Sequence, residues 1–222
     1  MEDFLKKCSL FKDLSFEEFK KIKQIAYKKN YEKQEIIFFE GDNISHIHII
    51  VSGFIKIFKM DQSGKEKTFT LLNKGDFFGE MSLFNEKCSS ASAQAIEASQ
   101  LILIEQKKFK KLIDEFPELA IKIIANLSTR LRKANQQIEN LTFKNVENRL
   151  IDVLVDLKRA YGKKQDKGYL ISKKITHQEL ANLVGTTRST TTKILNKLAD
   201  EDKLINKKGY LLLKENFNSD NF

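Results

Sequence analysis

The spacing of apolar positions changes three times along this chain, and each change marks a new kind of structure. Residues 15–29 place apolar side chains at helical spacing behind Ser15, whose capping-box partner is Glu18. This pattern predicts a short amphipathic helix over residues 15–29.

Short apolar runs rich in Ile, Val and Phe follow from about Tyr31. They are EIIFFE, IHIIVSG, FIKIFKM, KTFTLL and QLILIE, and the glycines between them are Gly41, Gly53, Gly64 and Gly75, at intervals of 12, 11 and 11 residues. Asp61–Gly64 (DQSG) has the composition of a hairpin turn. Short strands at such even spacing leave no room for helices between them, so they predict a small antiparallel barrel or jelly roll.

A long helical pattern begins after Pro117, the only proline in the sequence. From Glu118 to Asn140 there is no Gly or Pro, and apolar residues recur at alternating steps of three and four. These heptad positions are Ile124, Leu127, Leu131, Ala134, Ile138 and Leu141. Such a narrow stripe is typical of a helix that pairs with its own copy. Packing on its own domain is the alternative, but a helix between two domains has no third domain to lie on, so we expect a two-fold homodimer.

Two shorter helical patterns lie on either side of Gly185, in the stretch THQELANLVGTTRSTTTKILNKL. Thr176 and Glu179 form a capping box, and Gly185 permits a left-handed turn. With His177 as position one, the small or apolar positions five, nine and eighteen are Ala181, Gly185 and Ile194. This spacing is typical of a helix-turn-helix, in which a small residue lets the two helices cross closely.

The second helix of this motif is crowded with hydroxyl and basic side chains. In B-DNA the N-terminal end of such a helix enters the major groove, where Arg188 can hydrogen-bond guanine. The threonines of this helix favour surface chemistry over helix stability, because threonine is a poor helix former. Thr191, at position fifteen of the motif, is more polar than usual. A solvated charged helix is the simpler alternative, but it does not explain the spacing. Downstream, LINKKGYLLLK predicts a hairpin with a basic tip, the wing of a winged helix. The candidate DNA-binding residues are Thr186, Thr187, Arg188, Ser189, Thr190, Thr192, Lys193, Lys197, Lys207 and Lys208.

The net positive charge of the sequence favours a polyanionic partner. The chain has 39 basic and 30 acidic residues, a net charge of +9 and a pI of about 9.3. Residues 144–222 hold 16 of the basic and only 10 of the acidic residues. The C-terminal third therefore carries most of the positive field, which favours double-stranded DNA as its partner.

Several protein classes are excluded by what the sequence lacks. No stretch approaches the roughly 20 apolar residues of a membrane span, and MEDFLKKCSLF lacks the apolar run of a signal peptide, so we expect a cytoplasmic protein without membrane contact. Cys8 and Cys88 are too few for a disulfide framework or a typical iron–sulfur cluster. The sequence contains no phosphate-binding glycine loop, HExxH, CxxC or Gly-x-Ser-x-Gly motif, so we expect no enzyme and no metal site.

The order of these parts resembles the CRP/FNR family of bacterial transcription regulators over nearly the whole chain. The most specific stretches are GDFFGEMSLF, NLTFKNVENRL and the helix-turn-helix. The resemblance implies an α+β fold with a cyclic-nucleotide-binding-like antiparallel β jelly roll over residues 1–117. A dimerisation helix over 118–143 and a winged helix-turn-helix over 144–222 would complete it. It also implies a homodimer that binds a palindromic operator, contacts RNA polymerase and responds to an effector in the β domain.

The resemblance assigns roles to single residues. Arg188 matches the guanine-reading arginine of the family, and Lys193 matches a second basic contact. Ser189 stands where many members carry a glutamate, so the resemblance does not determine the operator sequence. The implied effector-pocket residues are Phe78, Gly79, Glu80, Met81, Ser82, Ser89, Ser90, Ala91, Arg130, Ala134 and Asn135.

The effector is where this chain departs from the cyclic-nucleotide-binding members. Gly79 and Glu80 match their phosphate-cassette glycine and ribose-binding glutamate, but their phosphate-binding arginine is replaced in Cys88–Ala91 (CSSA), with only Lys87 nearby. A buried phosphodiester needs a paired cation. Ala134 and Asn135 also replace the hydroxyl pair that contacts adenine. We therefore expect no cofactor, and either an effector of unknown identity in the barrel or no effector at all. A cAMP-responsive regulator is the alternative.

Redox and haem sensors in the same scaffold are further alternatives. His46 and His48 lie two residues apart and so share a strand face, but we interpret them as surface or turn histidines beside a strand. A thiol switch would require the Cα atoms of Cys8 and Cys88 to lie within about 7 Å. We interpret His177 as a surface residue of the DNA-binding unit. A regulatory module of a kinase or channel is disfavoured by the helix-turn-helix.

Overall fold

The computed structural model of the protein describes Cys8, Leu10, Phe11 and residues 15–85, 88–207 and 209–217. The chain divides into two compact units, Met1–Lys133 and Ala134–Phe222. The predicted α+β class is confirmed: a β-rich unit comes first, a long helix follows, and a helix-turn-helix unit ends the chain.

The first unit consists of a two-sheet β structure and several helices. In chain order its elements are α1 (Phe16–Ile25), β1 (Ala26–Tyr31), β2 (Ile36–Phe38), β3 (His46–Ser52), β4 (Ile55–Met60), β5 (Glu66–Leu72), β6 (Phe77–Phe78), α2 (Met81–Asn85), β7 (Ser92–Ala95), β8 (Ser99–Glu105) and α3 (Gln106–Glu115). One antiparallel sheet has the order β1-β8-β3-β6 and the other the order β2-β7-β4-β5. The predicted jelly-roll-like arrangement of short antiparallel strands is therefore present, although the short helix α2 lies between β6 and β7, where the strand spacing predicted no helix.

The first helix is shorter than predicted. The capping box of Ser15 and Glu18 forms, but α1 ends at Ile25 and the chain continues as a strand. Ala26 pairs with Ile104 of β8 at the start of that strand. The prediction of a helix to residue 29 was wrong because backbone pairing with β8 outweighs the local helical preference of this Lys-rich stretch.

The DQSG hairpin is confirmed between β4 and β5. The carboxylate of Asp61 accepts from the backbone N–H groups of Ser63 and Lys65, at 2.9 and 3.0 Å. An aspartate that bonds to the backbone a few residues on closes the turn without help from the rest of the fold.

Two apolar clusters lie among the described residues of the first unit. One joins Cys8, Leu10 and Phe11 to α1, the β1-β8-β3-β6 sheet and α3. The other lies between the two sheets and includes Ile50, Ile55 and Phe78. The long helix α4 (Glu118–Phe143) contributes Leu119 and Ile123 to the first cluster, so its N-terminal turns belong to the β unit.

The second unit is a small helical core beside a four-stranded sheet. Its elements are the C-terminal part of α4, α5 (Val146–Tyr161), β9 (Gly162–Gln165), β10 (Gly168–Ile171), α6 (His177–Val184), α7 (Arg188–Asp200), β11 (Leu204–Lys207) and β12 (Tyr210–Leu213). The sheet order is β11-β12-β10-β9. The predicted wing hairpin is present as β11 and β12, whereas the β9–β10 hairpin had no counterpart in the sequence prediction. Leu154, Leu180 and Leu198 are fully buried in this core.

Candidate nucleic-acid interface and effector site

The turn between α6 and α7 has the geometry that the sequence predicts. Thr176 caps α6 by accepting from the Glu179 N–H at 3.1 Å, and the Glu179 carboxylate accepts from the Thr176 N–H at 2.6 Å. Gly185 ends α6 with φ 79° and ψ 48°, in the left-handed region where a side chain is disfavoured. Its N–H donates to the Ala181 carbonyl at 2.8 Å, which closes the turn.

Thr187 starts the second helix of the motif. Its hydroxyl oxygen accepts from the Thr190 N–H at 3.2 Å and contacts the hydroxyls of Ser189 and Thr190, each at 2.9 Å. Arg188, Ser189 and Lys193 are exposed at this end of α7. A capped helix N-terminus with exposed basic and hydroxyl groups suits an anionic partner, because the helix dipole and the free N–H groups favour negative charge there.

The threonines of α7 have different roles, and this corrects part of the sequence prediction. Thr191 is fully buried, and its hydroxyl donates to the Thr187 carbonyl at 3.1 Å. The hydroxyl of the half-buried Thr192 donates to the Arg188 carbonyl at 2.9 Å. Both threonines thus bond back to their own helix, so Thr191 serves packing and not surface chemistry.

The basic candidates are not equally placed. The Lys197 ammonium lies 2.8 Å from one Glu147 carboxylate oxygen and 3.0 Å from the other, so it already has an acidic partner on α5. Lys207 is the last residue of β11, and Lys208 lies outside the described residues. Thr186 is half-buried at the turn, next to the exposed Thr187.

His177 is not the simple surface residue that the sequence suggested. It is half-buried, with Nδ1 2.8 Å from the Thr192 hydroxyl and Nε2 2.9 Å from the side-chain amide of Asn206. The turn at Gly185 brings the first residue of α6 back to the second helix, and the wing strand β11 packs on the other side. No periodicity in the sequence indicates this contact, because residues 177, 192 and 206 are distant in sequence.

The candidate effector site lies where β6 meets α2. Gly79 has φ 88°, and a Cβ at this position would lie 2.7 Å from the His46 carbonyl, so only glycine fits. Glu80, the next residue, is 1% exposed. The turn thus places a carboxylate inside the first unit, as the resemblance implies.

Arg130 of α4 is the partner of that carboxylate. Its Nη1 lies 2.7 Å from Glu80 Oε1, and its Nη2 donates to the Phe77 carbonyl. Burial raises the pKa of Glu80, and the neighbouring Arg130 guanidinium opposes that rise. The second oxygen, Oε2, has no hydrogen-bond partner among the described residues. The buried Glu80 carboxylate can therefore still accept a hydrogen bond from a further donor at Oε2.

The remaining cassette residues are held mainly by local hydrogen bonds. The Ser82 hydroxyl donates to the Gly79 carbonyl at 3.2 Å, and that of Ser89 donates to the Ala91 carbonyl at 2.5 Å. Backbone bonds join Ser89 to the loop containing Gly41 and Asp42, at 2.9 and 2.8 Å. Met81 and Ser90 are exposed, whereas Ala91 and Phe78 are buried. Lys87 lies outside the described residues. Ala134 and Asn135, the other implied pocket residues, are exposed on α4 in the second unit.

The two strand histidines correct a second expectation. His48 is 5% exposed and stacks on Phe78, with ring centroids 4.9 Å apart. Strand β3 lies inside its sheet, between β8 and β6, which explains why His48 is enclosed. Burial lowers the pKa of His48 to about 3, and the neighbouring His46 adds to that effect. Half-buried His46 contacts the Tyr27 hydroxyl at 3.1 Å. Among the described residues, no group of three His, Cys, Asp or Glu side chains is placed to hold a metal ion.

Comparison with known proteins shows what this arrangement belongs to. Residues 28–116 match the model of the cyclic nucleotide-binding domain, and residues 148–215 match that of the Crp-like helix-turn-helix domain. A cyclic AMP receptor protein of Thermus thermophilus is 34% identical over 197 residues, covering 89% of this chain and 88% of that relative. The global nitrogen regulator of Synechococcus elongatus is 32% identical, covering 80% of each chain. The chain belongs to the CRP/FNR family of transcription regulators.

Solved structures of CRP/FNR regulators share the fold. The c-di-GMP responsive global regulator CLP of Xanthomonas campestris superposes with a TM-score of 0.80 at 22% identity, covering 90% of this chain and 99% of that one. Within the described residues, no helix is long and apolar enough to cross a membrane.

The heptad residues of this CRP/FNR chain are largely solvent-exposed within a single chain. The exposed fractions are 61% for Ile124, 63% for Leu131, 64% for Ile138 and 49% for Leu141, while Ala134 is also exposed and Leu127 is half-buried. Ile121, which the sequence reasoning missed, is 67% exposed. It lies three residues before Ile124, whereas the alternating steps of three and four place the preceding heptad position at Ala120, so the heptad pattern does not indicate Ile121. Large apolar side chains are rarely left exposed in a row without a partner.

Proposed function

We propose that this CRP/FNR regulator acts as a homodimer whose two α7 helices bind the half-sites of a palindromic operator. The observation that carries the proposal is the exposed end of α7, where Arg188, Ser189 and Lys193 surround a helix N-terminus capped by Thr187. A guanidinium there can bond both major-groove acceptors of guanine, and the nearby hydroxyls can contact phosphates or base edges. The wing lysines Lys207 and Lys208 would contact the phosphate backbone.

The exposed stripe on α4 supports the dimer. Ile124, Leu131 and Ile138 are each more than 60% exposed in one chain. Pairing of two such helices would bury these side chains in a coiled-coil interface, and two-fold symmetry would give one reading helix for each half of the operator. Successive major grooves on one DNA face are about 34 Å apart, so the crossing of the two helices would set the fit.

For the β unit, we propose an effector other than cAMP, or function without one. Several relatives at 32–34% identity are named as cAMP receptors or cAMP-activated regulators, so a cAMP-responsive regulator remains the alternative. By the family resemblance, Cys88–Ala91 stands in this chain where cyclic-nucleotide-binding members carry the phosphate-binding arginine. Arg130 supplies a cation, but it is engaged by Glu80 at 2.7 Å. A buried phosphodiester would therefore lack its paired charge.

A redox or haem sensor has less support from the described side chains. His48 is stacked on Phe78 and enclosed by its sheet, and Cys8 is buried with its thiol 3.3 Å from the Gly75 carbonyl. Cys88 is exposed. Neither histidine nor thiol belongs to a set of three candidate ligands in the described chain.

Further partners follow from the regulatory role. We propose that the DNA-bound dimer contacts RNA polymerase and works in the cytoplasm, where bacterial promoter DNA is found. Its action would be binding and recruitment, without catalysis.

The test of the operator proposal is selection of bound duplexes from a random pool, with and without cell extract. We expect enrichment of a palindrome with a guanine in each half-site. Enrichment only in the presence of extract would indicate an effector. Recovery of unrelated sequences at low salt, with and without extract, would contradict the proposal.

The dimer is tested with Leu131→Glu. The charge would be buried in the paired helices, so we expect a monomer by light scattering and a loss of operator binding of at least tenfold. Gln136→Glu changes the net charge equally at an exposed position outside the heptad stripe and is the matched control. Operator affinity equal to that of the unmodified protein for a monomeric Leu131→Glu would overturn the dimer model.

The effector proposal is tested by calorimetry with cAMP. We expect no saturable heat of binding. Saturable heat that is lost in Glu80→Ala, with the fold preserved, would establish the cAMP alternative instead.

A further inference from the structure

We propose that His177 is a positioning residue that couples the wing to the DNA-reading helix, so that base recognition by Arg188 depends on where β11 lies. The proposal rests on the proposed function of α7 as the reading helix. His177 is the first residue of α6 and is the hub of a polar chain that joins α6, α7 and β11. We call the four residues Asn206, His177, Thr192 and Arg188 the wing–helix chain.

The direction of each hydrogen bond in this chain follows from donor counting. The single hydroxyl hydrogen of Thr192 goes to the Arg188 carbonyl at 2.9 Å. Towards His177, the Thr192 oxygen can therefore only accept, so His177 Nδ1, at 2.8 Å, must carry its hydrogen. In a neutral imidazole Nε2 is then an acceptor, and the Asn206 amide at 2.9 Å donates to it.

The result is a continuous series of bonds from the wing to the reading arginine. Asn206 donates to His177, His177 donates to Thr192, and Thr192 donates to the backbone carbonyl of Arg188. Each polar atom in the series has one defined role, which fixes both the tautomer and the orientation of the imidazole. Replacement of the ring removes both connections at once, because among the described residues it is the His177 side chain that contacts both Thr192 and Asn206.

A second contact, between Lys174 and Gly209, holds the turn of the wing hairpin against the rest of the second unit. The side chain of Lys174 crosses Gly209, where a Cβ would lie 2.7 Å from the lysine Cε. Asn206 in β11 is paired with Leu211 in β12, so its position is tied to the whole hairpin. A shift at Asn206 would therefore move the hairpin and not only one side chain.

The apolar core, and not this chain of bonds, stabilises the unit. Leu180, Leu195 and Leu198 from the two helices and Leu204 from β11 are at most 1% exposed. His177 lies nearer the surface, and Arg188 is fully on it. We therefore expect loss of the imidazole to affect the precision of base reading more than the folding of the unit. Catalytic and binding geometries are similarly sensitive to the shell of residues that supports them.

The experiment measures the affinity of the full-length protein for its selected operator and for a duplex of random sequence. His177→Ala should lower the operator-to-random affinity ratio about tenfold, the scale of two hydrogen bonds, while the midpoint of denaturant unfolding changes little. Asn206→Ala should lower the ratio as well. The double variant should lose no more than His177→Ala alone, because both substitutions interrupt the same chain.

Conservative variants separate the two arms. The amide of His177→Asn can replace the Nδ1 donor and keep the bond to Thr192, whereas that of His177→Gln can replace Nε2 and keep the bond from Asn206. We expect each to recover part of the ratio lost in His177→Ala. Gln178→Ala is the control. The side-chain amide of Gln178 donates a hydrogen bond to Asn182 within α6, so its removal should leave the affinity ratio unchanged.

The outcomes distinguish this inference from the proposed function. A wild-type protein that selects no duplex overturns both. A wild-type protein that selects an operator, with an unchanged ratio in His177→Ala or with additive losses in the double variant, overturns only the positioning role. Should His177→Ala fail to fold, Asn206→Ala and the two amide variants give the same test.

Discussion

The proposed DNA-reading end of α7 and the candidate effector cassette both follow the family pattern, but only α7 keeps the basic residues that the resemblance places there. At α7 the motif spacing, the helix caps and the exposed Arg188 all fit a DNA-binding helix. The basic side chains at its N-terminal end are accessible to a partner. In the cassette Gly79 and Glu80 keep the shape of the turn, whereas the arginine for a phosphate is absent and Glu80 is paired with Arg130. Backbone shape and ligand chemistry can therefore be retained separately.

The physical reason is that the backbone shape of the cassette and its ability to bind a ligand depend on different interactions. The cassette turn is fixed by the positive φ of Gly79 and its close approach to the His46 carbonyl, which do not depend on a ligand. Phosphate binding depends on a single cation at a loop position, which can be lost without unfolding the turn. At α7, the proposed recognition and the structure share residues: Thr187 caps the helix and is exposed at its N-terminal end.

The largest effect is expected from breaking the cassette pair with Arg130→Met. The Glu80 carboxylate would stay buried without its cation, and we expect a loss of about 3 kcal/mol in unfolding free energy at pH 7. Burial already raises the pKa of Glu80, and removal of Arg130 would raise it further. A carboxyl with a raised folded pKa contributes stability at low pH and loses it as pH rises, so the deficit should shrink at pH 5.

The measurement is urea unfolding at both pH values, with Arg132→Met as the control for loss of an arginine on the same helix. Glu80→Gln combined with Arg130→Met should recover part of the stability. A deficit equal at pH 5 and pH 7 would contradict a charged Glu80 at neutral pH. In that case the cassette would not differ from α7 in having its charged group already paired.

At the reading surface, Arg188→Ala should reduce discrimination against a changed guanine by about 1–3 kcal/mol. Its binding to random duplex should change much less. Lys208→Ala is the comparison, since loss of a phosphate contact should weaken all sequences alike and reduce the salt dependence. Binding to operator and single-base variants, measured over a salt series, checks both. Equal losses on operator and random DNA for Arg188→Ala would place its contact on the phosphate backbone.

The buried His48, beside the cassette strand β6, should make the stability of the first unit depend on pH. With a folded pKa of about 3 against 6.5 for the free group, the folded state binds fewer protons than the unfolded state between those values. Its contribution to stability therefore falls as pH decreases through 6.5, by about 1.3 kcal/mol from pH 7 to pH 5.5. His48→Leu should lose less stability than the unmodified protein over this range in chemical denaturation. The partly exposed His46, replaced by Leu, is the control, and parallel pH curves for His48→Leu and the unmodified protein would disprove the buried neutral state.

Thr187→Ala gives the smallest effect. Loss of the cap to the Thr190 N–H should lower the unfolding free energy by about 1 kcal/mol, and Thr187→Ser should retain most of it. Unfolding in urea measures the stability, and operator binding at a temperature where both variants are folded measures the recognition. A stability loss without any loss of binding would show that capping and recognition at α7 are separable after all.

Much of the fold could be predicted because its signals are local. Capping boxes at Ser15 and Thr176, the turn at Gly185 and the DQSG hairpin each lie within a few residues, and all are present. The two-residue strand β6 and the β9–β10 hairpin could not be predicted, since Gly-Lys-Lys-Gln has little strand preference of its own. Backbone partners from distant parts of the chain make these segments strands.

The sequence by itself determined the order of modules, the helix-turn-helix spacing and the heptad on α4, because periodicity and turn chemistry act over short distances. Only the tertiary structure decided that Glu80 pairs with Arg130, 50 residues away, and that His48 is enclosed by Phe78. It also decided that His177 connects α7 with the wing across 15 and 29 residues of sequence. Contacts of this kind depend on how packed elements bring distant side chains together, and a pattern along the chain carries no record of them.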